Sequence, residues 1–285
     1  MKFRPLALAL AFSTLFGISS ASAAISGDEQ KVNDVITKHL NSIGTEQARA
    51  ATRSRLVVGQ VQMSVRSTGT SRAAGNVVLA SVANKNMITM KFGMIEYPYE
   101  KVGFDGSQVT AYALRPGVYS TLGGFARTYT TILREGLMAG TLSSAWPLLN
   151  LADRKVKLEW GGNKKIDSRS VVEIKYAPKG GSDLSISLYF DAENYRHVRT
   201  VYKKTIAARL GAGGIDSSAQ QNETRYELTE DFSDFKEEQG LTLPHVYQIQ
   251  YKYSGQESRY YDYVLNLHSF VFDQAIDVKD FNVAN

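Results

Sequence analysis

Histidine is the first residue type to test for chemistry, because its ring titrates near neutral pH and binds metals. The chain has four: His39, His197, His245 and His268. None stands in an HxxxH or HExxH spacing, so no helical metal site is spelled out. His39 falls on a helical pattern and reads as a surface or partly packed residue. His197 follows Arg196 in a strand, and His245 follows Pro244. A His197/His245 pair with Asp183 or Asp231 can be drawn as an acid–base arrangement, but strands of any large β protein carry such residues. There is no GxSxG elbow, no Walker A loop and no GxGxxG after a strand. Gly211-Ala212-Gly213-Gly214 lacks the lysine and helix start of a phosphate loop. Glu230-Asp231 and Glu237-Glu238 read as solvated charge. The expectation is no catalytic residue, no metal site and no cofactor.

The sequence is distinctive in its apolar content instead. Between Gly124 and Leu149, Phe125, Tyr129, Ile132 and Leu133 share a helical face. Leu137, Met138, Leu142, Trp146, Leu148 and Leu149 follow, and residues 137–151 carry no charge at all. A surface helix would have a polar side. Gly136 and Gly140 interrupt the pattern, and Pro147 opens a last turn. Core packing accounts for any one of these residues. Together, the missing charge and the glycine breaks suit a segment able to shift. These ten side chains are the candidate apolar wall or flap of a ligand cavity.

The surrounding elements must position that block. Residues 26–43 read as a helix, with Ser26 and Glu29 forming a capping box and Val32, Val35, Ile36, Leu40 and Ile43 forming one stripe. Gly44 ends it, and a short second helix runs from Thr45 to about residue 52. From Arg55 the period becomes two: Val57, Val61, Met63 and Val65 alternate with polar residues, with Gly59 at a bulge. Strands follow near 76–82, 87–93, 98–104 and 108–114, turning at Asn84-Lys85-Asn86 and Asp105-Gly106-Ser107. After the block, alternation resumes at 156–160, 184–190, 196–205, 226–232, 243–252 and 258–268. Residues 211–221 form a Gly/Ser/Gln-rich loop. This pattern predicts a mainly β protein with helices (α+β), about ten to twelve strands in one antiparallel sheet. Such a sheet coils as it grows, and helices on its concave face leave room for a cavity.

The first residues bound the setting. Lys2 and Arg4 precede an apolar run, Leu6 to Ile18, and Ala21-Ser22-Ala23 is a small-x-small cut site. Residues 1–23 thus read as a cleaved signal peptide, and 24–285 as a single ligand-binding domain. The apolar run is short of the roughly 20 residues that span a membrane. The chain has no cysteine, so there is no disulfide framework, thiolate nucleophile or lipid-bearing cysteine. Its formal net charge of +5 drops by two with Lys2 and Arg4, and the remaining charges are interleaved. No basic stripe marks a nucleic-acid partner.

Several stretches resemble the LolA-like superfamily, which includes outer-membrane lipoprotein carriers and periplasmic lipid binders. They are VNDVITKHLNSIG and SRLVVGQVQMSV within 32–65, FDGSQVTAY (104–112), DAENYRHVRTVYKK (191–204) and FVFDQAIDVKDFNV (270–283). The resemblance implies an open, strongly curved antiparallel half-barrel with helices on its concave face, enclosing an apolar cavity. It also implies a soluble periplasmic carrier for a lipid or lipidated molecule, with a transient membrane or protein partner. The chain is longer than the simple carriers, and no residue aligns with the arginine that anchors their lid. A sensor or protein-interaction module with the same fold and no cargo is the alternative. An outer-membrane barrel and a hydrolase are weaker rivals.

Overall fold

The computed structural model describes residues 27–152, 154–207, 223–255 and 258–284. The expected signal peptide at 1–23, the Ser26 cap, the 211–221 loop and Asn285 lie outside the described residues. The chain opens with helix α1 (Gly27–Ile43) and the short α2 (Glu46–Ala51), capped by Thr45, whose hydroxyl accepts from Ala48 N. Five strands follow: β1 (Ser54–Arg66), β2 (Thr70–Val82), β3 (Lys85–Phe92), β4 (Tyr99–Phe104) and β5 (Val109–Ala111). A small hairpin, β6 (Ala113–Arg115) and β7 (Val118–Tyr119), leads into the middle block. The second half begins with β8 (Lys157–Ile166), β9 (Arg169–Ala177) and β10 (Ser185–Asp191). It continues with β11 (His197–Ile206), β12 (Thr224–Glu238), β13 (Leu241–Ser254) and β14 (Ser258–Phe272).

Twelve strands form one antiparallel sheet in the order β5-β4-β3-β2-β1-β14-β13-β12-β11-β10-β9-β8. Two meanders therefore meet where β1 pairs with β14. The ends of this order, β5 and β8, do not pair with each other, so the sheet is open. It is also curved. Helix α1 touches both β8 and β13, which in a flat sheet would lie about 24 Å apart at five strand spacings. A helix is about 10–12 Å across, so the sheet must coil around it. Bulges help: the register shifts at Val58/Gly59, Tyr189/Phe190 and Trp160/Gly162.

This topology dictates where the middle block lies. The chain leaves the sheet at one edge, β5, and re-enters at the opposite edge, β8. Residues 112–156 must therefore cross the sheet, and they cross its apolar face. There they meet Val57, Val61, Leu79, Ile88, Leu188, Leu228 and Ile249, all buried in one continuous core.

Some expectations needed correction. The block is not one long helix. It is α3 (Thr121–Thr128), α4 (Thr131–Arg134) and two single 3-10 turns, Gly140–Leu142 and Pro147–Asn150. Gly136 (φ +69°), Ala139 (φ +68°) and Gly140 (φ +49°) break it with left-handed backbone. The bulge near Gly59 has its extra residue, His268, on β14. Gly59 is needed for a different reason: a Cβ there would lie 2.3 Å from the carbonyl oxygen of Asn266. The β2–β3 turn is Ala83-Asn84, one residue earlier than its asparagines suggest. Strand β9 had not been anticipated. His39 is not a surface residue but fully buried, and so is Glu230, read from its neighbour as solvated charge.

Candidate functional site

The candidate site is the contact between the middle block and the concave face. Of the ten candidate residues, Phe125, Ile132, Leu133, Leu137, Met138, Leu142, Trp146 and Leu148 are buried, while Tyr129 and Leu149 are partly buried against the same core. The block thus fills the concavity that was expected to hold a cavity. A small pocket of about 10 Å³ lies under it, beside Leu79, Ser81, Asn86, Met138 and Leu142. Larger depressions lie elsewhere, such as a groove of about 590 Å³ between α1 and the β8–β9 edge, lined by Lys31, Val35, Trp160 and Lys164.

An irregular segment buried this deeply carries backbone N–H and C=O groups that a helix would have satisfied internally. The sheet supplies their partners. Asn86 Nδ2 on β3 donates to the Leu133 carbonyl at 2.9 Å. Ser81 Oγ on β2 accepts from Ser144 N at 2.8 Å. Glu230 Oε1 on β12 accepts from Ala139 N at 2.8 Å. Arg55 Nη1 on β1 donates to the Thr141 carbonyl and lies 3.5 Å from that of Ser143. On the far side, Arg154 donates to the carbonyls of Glu135 (2.6 Å) and Ala145 (3.1 Å). Leaving one such buried group unpaired costs about 1–3 kcal/mol, so these pins decide where the block rests.

Arg55, Glu100 and Glu230 carry charge-bearing side chains yet stand in the apolar phase of their strands. Arg55 continues the inward series of Val57, Val61 and Met63; Glu100 that of Val102 and Phe104; Glu230 that of Leu228 and Phe232. Burial pulls the Arg55 guanidinium down to about 10, so it remains a cation at neutral pH. Burial pushes Glu230 up to about 7, against hydrogen bonds from Tyr247 and Tyr202 (2.7 Å) that favour the carboxylate. Glu100 is also raised by burial, and it accepts from Ser120, Tyr97 and Tyr263. Ser120 caps α3, so Glu100 fixes the start of the block.

The histidines do not assemble a catalytic group. His39 Nε2 accepts from Trp146 Nε1 at 3.1 Å, so its proton sits on Nδ1, 3.1 Å from the Tyr195 carbonyl. Burial lowers its pKa to about 4. His197 stacks on Trp146, with ring centroids 4.6 Å apart, and its Nε2 lies 2.9 Å from the Thr200 hydroxyl. His245 faces Glu238 at 3.1 Å, Asp231 pairs with Arg199, and Asp183 lies 3.6 Å from Lys204. Neither aspartate joins the two histidines. Among the described residues no cluster of acidic and histidine side chains could hold a metal ion.

Sequence reasoning passed over Arg55, Glu100 and the burial of Glu230. The signal was present: each charge falls on an inward position of an otherwise apolar alternation.

One end of the sheet has a different character. Met94 and Ile95 lie in the β3–β4 connection, Ile206 ends β11, Tyr260 begins β14, and Val118 is in the hairpin beyond β5. The antiparallel order puts Met94, Ile95, Ile206 and Tyr260 at the same end. Ile95 is 99% exposed and Val118 51%. Arg66 lies over Tyr260 and Arg127 over Tyr119, at 5.6 and 3.9 Å.

No family model and no curated protein matches the chain. Solved structures do. A LolA superfamily protein from Nitrosomonas europaea matches at 11% identity and a TM-score of 0.45, over 87% of this chain and 96% of that one. A putative outer membrane lipoprotein-sorting protein domain from Vibrio parahaemolyticus matches at 10% and 0.40, over 87% and 95%. A DUF1329 family protein from Desulfovibrio piger matches at 8% and 0.41, over 88% and 96%. The chain is similar to LolA superfamily proteins in this sense; none of these likenesses assigns it a task.

Proposed function

We propose that the protein is a soluble periplasmic binding or carrier protein for a lipid, lipoprotein or other apolar ligand, held between the concave sheet and the 124–149 block. The observation that carries this reading is how the block is held. It lies on an apolar sheet face, broken at left-handed joints, and is fastened through a few polar side chains to its backbone. Swinging it out would expose two matching apolar walls, the block's and the sheet's. Burying an acyl chain of about 14 methylenes is worth about 11 kcal/mol gross at about 0.8 kcal/mol each. A bilayer offers the same term, so cargo can load and unload without catalysis, metal or cofactor.

Export rests on the signal-peptide pattern of residues 1–23. Among the described residues no helix is long and apolar enough to cross a membrane. The exposed apolar tips near Ile95, with arginines beside them, suit a transient contact with a membrane surface or an apolar patch of a partner protein. Lipid extraction from protein purified without detergent, followed by mass spectrometry, tests the reading. A bound or exchangeable lipid is expected. A protein that carries none and takes up none would overturn it.

One observation favours a second reading, a ligand-free sensor or protein-interaction module: the concavity is already filled by the block. A stable protein partner recovered with no lipid would support that alternative.

A further inference from the structure

Arg55 is 1% exposed, yet among the described residues no carboxylate pairs with it. The carboxylates in the inward phase of their strands, Glu230 and Glu100, are engaged elsewhere: Glu230 by Tyr202, Tyr247 and Ala139 N, Glu100 by Ser120 and two tyrosines. Only Nη1 of Arg55 is used, on block carbonyls. Among the described residues Nε and Nη2 have no hydrogen-bond partner. Those two N–H groups lie side by side along one edge of the planar guanidinium, the edge that takes both oxygens of a carboxylate or phosphate. The Thr141 hydroxyl, on the residue whose carbonyl meets Nη1, is also without a partner. A buried cation with no counter-ion is costly, and an anion that reached it would remove the cost.

We infer that the Nε/Nη2 edge of Arg55 receives the oxyanionic head of the ligand, so that the cargo is an acidic amphiphile, with a carboxylate or phosphate on its acyl chain. This rests on the carrier reading above and sharpens it. The head group would share the guanidinium with the Thr141 carbonyl, so ligand binding and block anchoring meet on one residue. Ala139 and Gly140, both left-handed, give the chain a joint at that point. A neutral lipid of the same length would leave the guanidinium without its counter-ion.

The test compares palmitate, lysophosphatidate with the same chain, and hexadecanol, titrated into the full mature protein and followed by Trp fluorescence and calorimetry. Palmitate, lysophosphatidate or both should bind at least about tenfold more tightly than the alcohol, and which of them does so separates a fatty acid from a phospholipid head. Arg55→Gln should bring that ratio close to one, whatever it does to the affinity for the alcohol; Arg55→Lys, which keeps the charge without the paired edge, should fall between. Equal binding of acids and alcohol by the unaltered protein would overturn the inference and leave the carrier reading standing, with water on that edge. A ratio that survives Arg55→Gln would overturn it too. If no chain of any kind binds, both fall together.

Discussion

The indole N–H of Trp146 donates to Nε2 of His39 at 3.1 Å, and this bond ties the far end of the middle block to the first helix. The same indole stacks on His197. Residues from α1, the block and β11 thus share one buried contact.

Trp146→Phe removes the donor and leaves His39 Nε2 buried without a partner. It should lower the unfolding free energy by about 1–3 kcal/mol, plus a term for the smaller ring against His197. Urea denaturation followed by circular dichroism measures this. An unchanged midpoint would show that the block's end is not fastened here.

Two buried groups give opposite pH dependence. The folded pKa of His39 is lowered to about 4, so the unfolded state binds more protons below about 6.5, and stability is lost as pH falls through that window. His197, also lowered by burial, acts with the same sign. Glu230 is raised to about 7, so the folded state holds its proton where an unfolded glutamate has lost it. Its contribution is present below about 4.5 and is lost as pH rises to about 7. Glu230→Gln deletes only the second effect. Relative to the unaltered protein, the variant should gain about 1.4 kcal/mol per pH unit between about 4.5 and 7. Denaturation at three pH values in that range gives the slope, and a flat difference would mean that Glu230 ionises as freely as in water.

The hydroxyls of Ser81 and Ser144 are 3.1 Å apart, one on the sheet and one on the block. The chain has no cysteine of its own, so Ser81→Cys with Ser144→Cys introduces a single pair. Oxidation should lock the block, stop uptake of a fluorescent fatty acid, and be reversed by reductant. Uptake that continues with the bond formed would place the ligand somewhere other than under the block.

Ile95→Glu puts a charge on the most exposed apolar side chain at the end of the sheet. The affinity for anionic vesicles in co-sedimentation should fall at least about fivefold, given that the loss of one inserted side chain costs at least about 1 kcal/mol. Val278→Glu, an equally drastic change at an exposed residue of the C-terminal turn, should leave it unchanged. Equal effects of both would point to general charge repulsion.

Much of the architecture is local and was therefore legible. Helix α1 follows from a stripe at helical spacing, and β1, β10 and β13 follow from period-two alternation, because one face of each meets water. Strand β9 was not legible: Val171, Val172, Glu173 and Ile174 are all buried, so alternation, the only local signal, is lost. His39 could have been placed in the core, since it lies three residues from Ile36 and four from Val35 and Ile43, on the apolar stripe itself. The absence of charge over residues 137–151 announced burial correctly.

Tertiary structure alone decided the partners. That Arg55 stands inward can be read from its phase with Val57, but that it meets the Thr141 carbonyl depends on a contact 86 residues away in sequence. The phase of Glu230 says it points inward; only the packing of Tyr202, Tyr247 and Ala139 around it sets its ionisation. The block's chemistry marked it as a wall, while the fold made it a filling. A chain leaving one edge of an open sheet and returning at the other must cross the concave face, and the backbone it buries there must be met by side chains from strands far away in sequence.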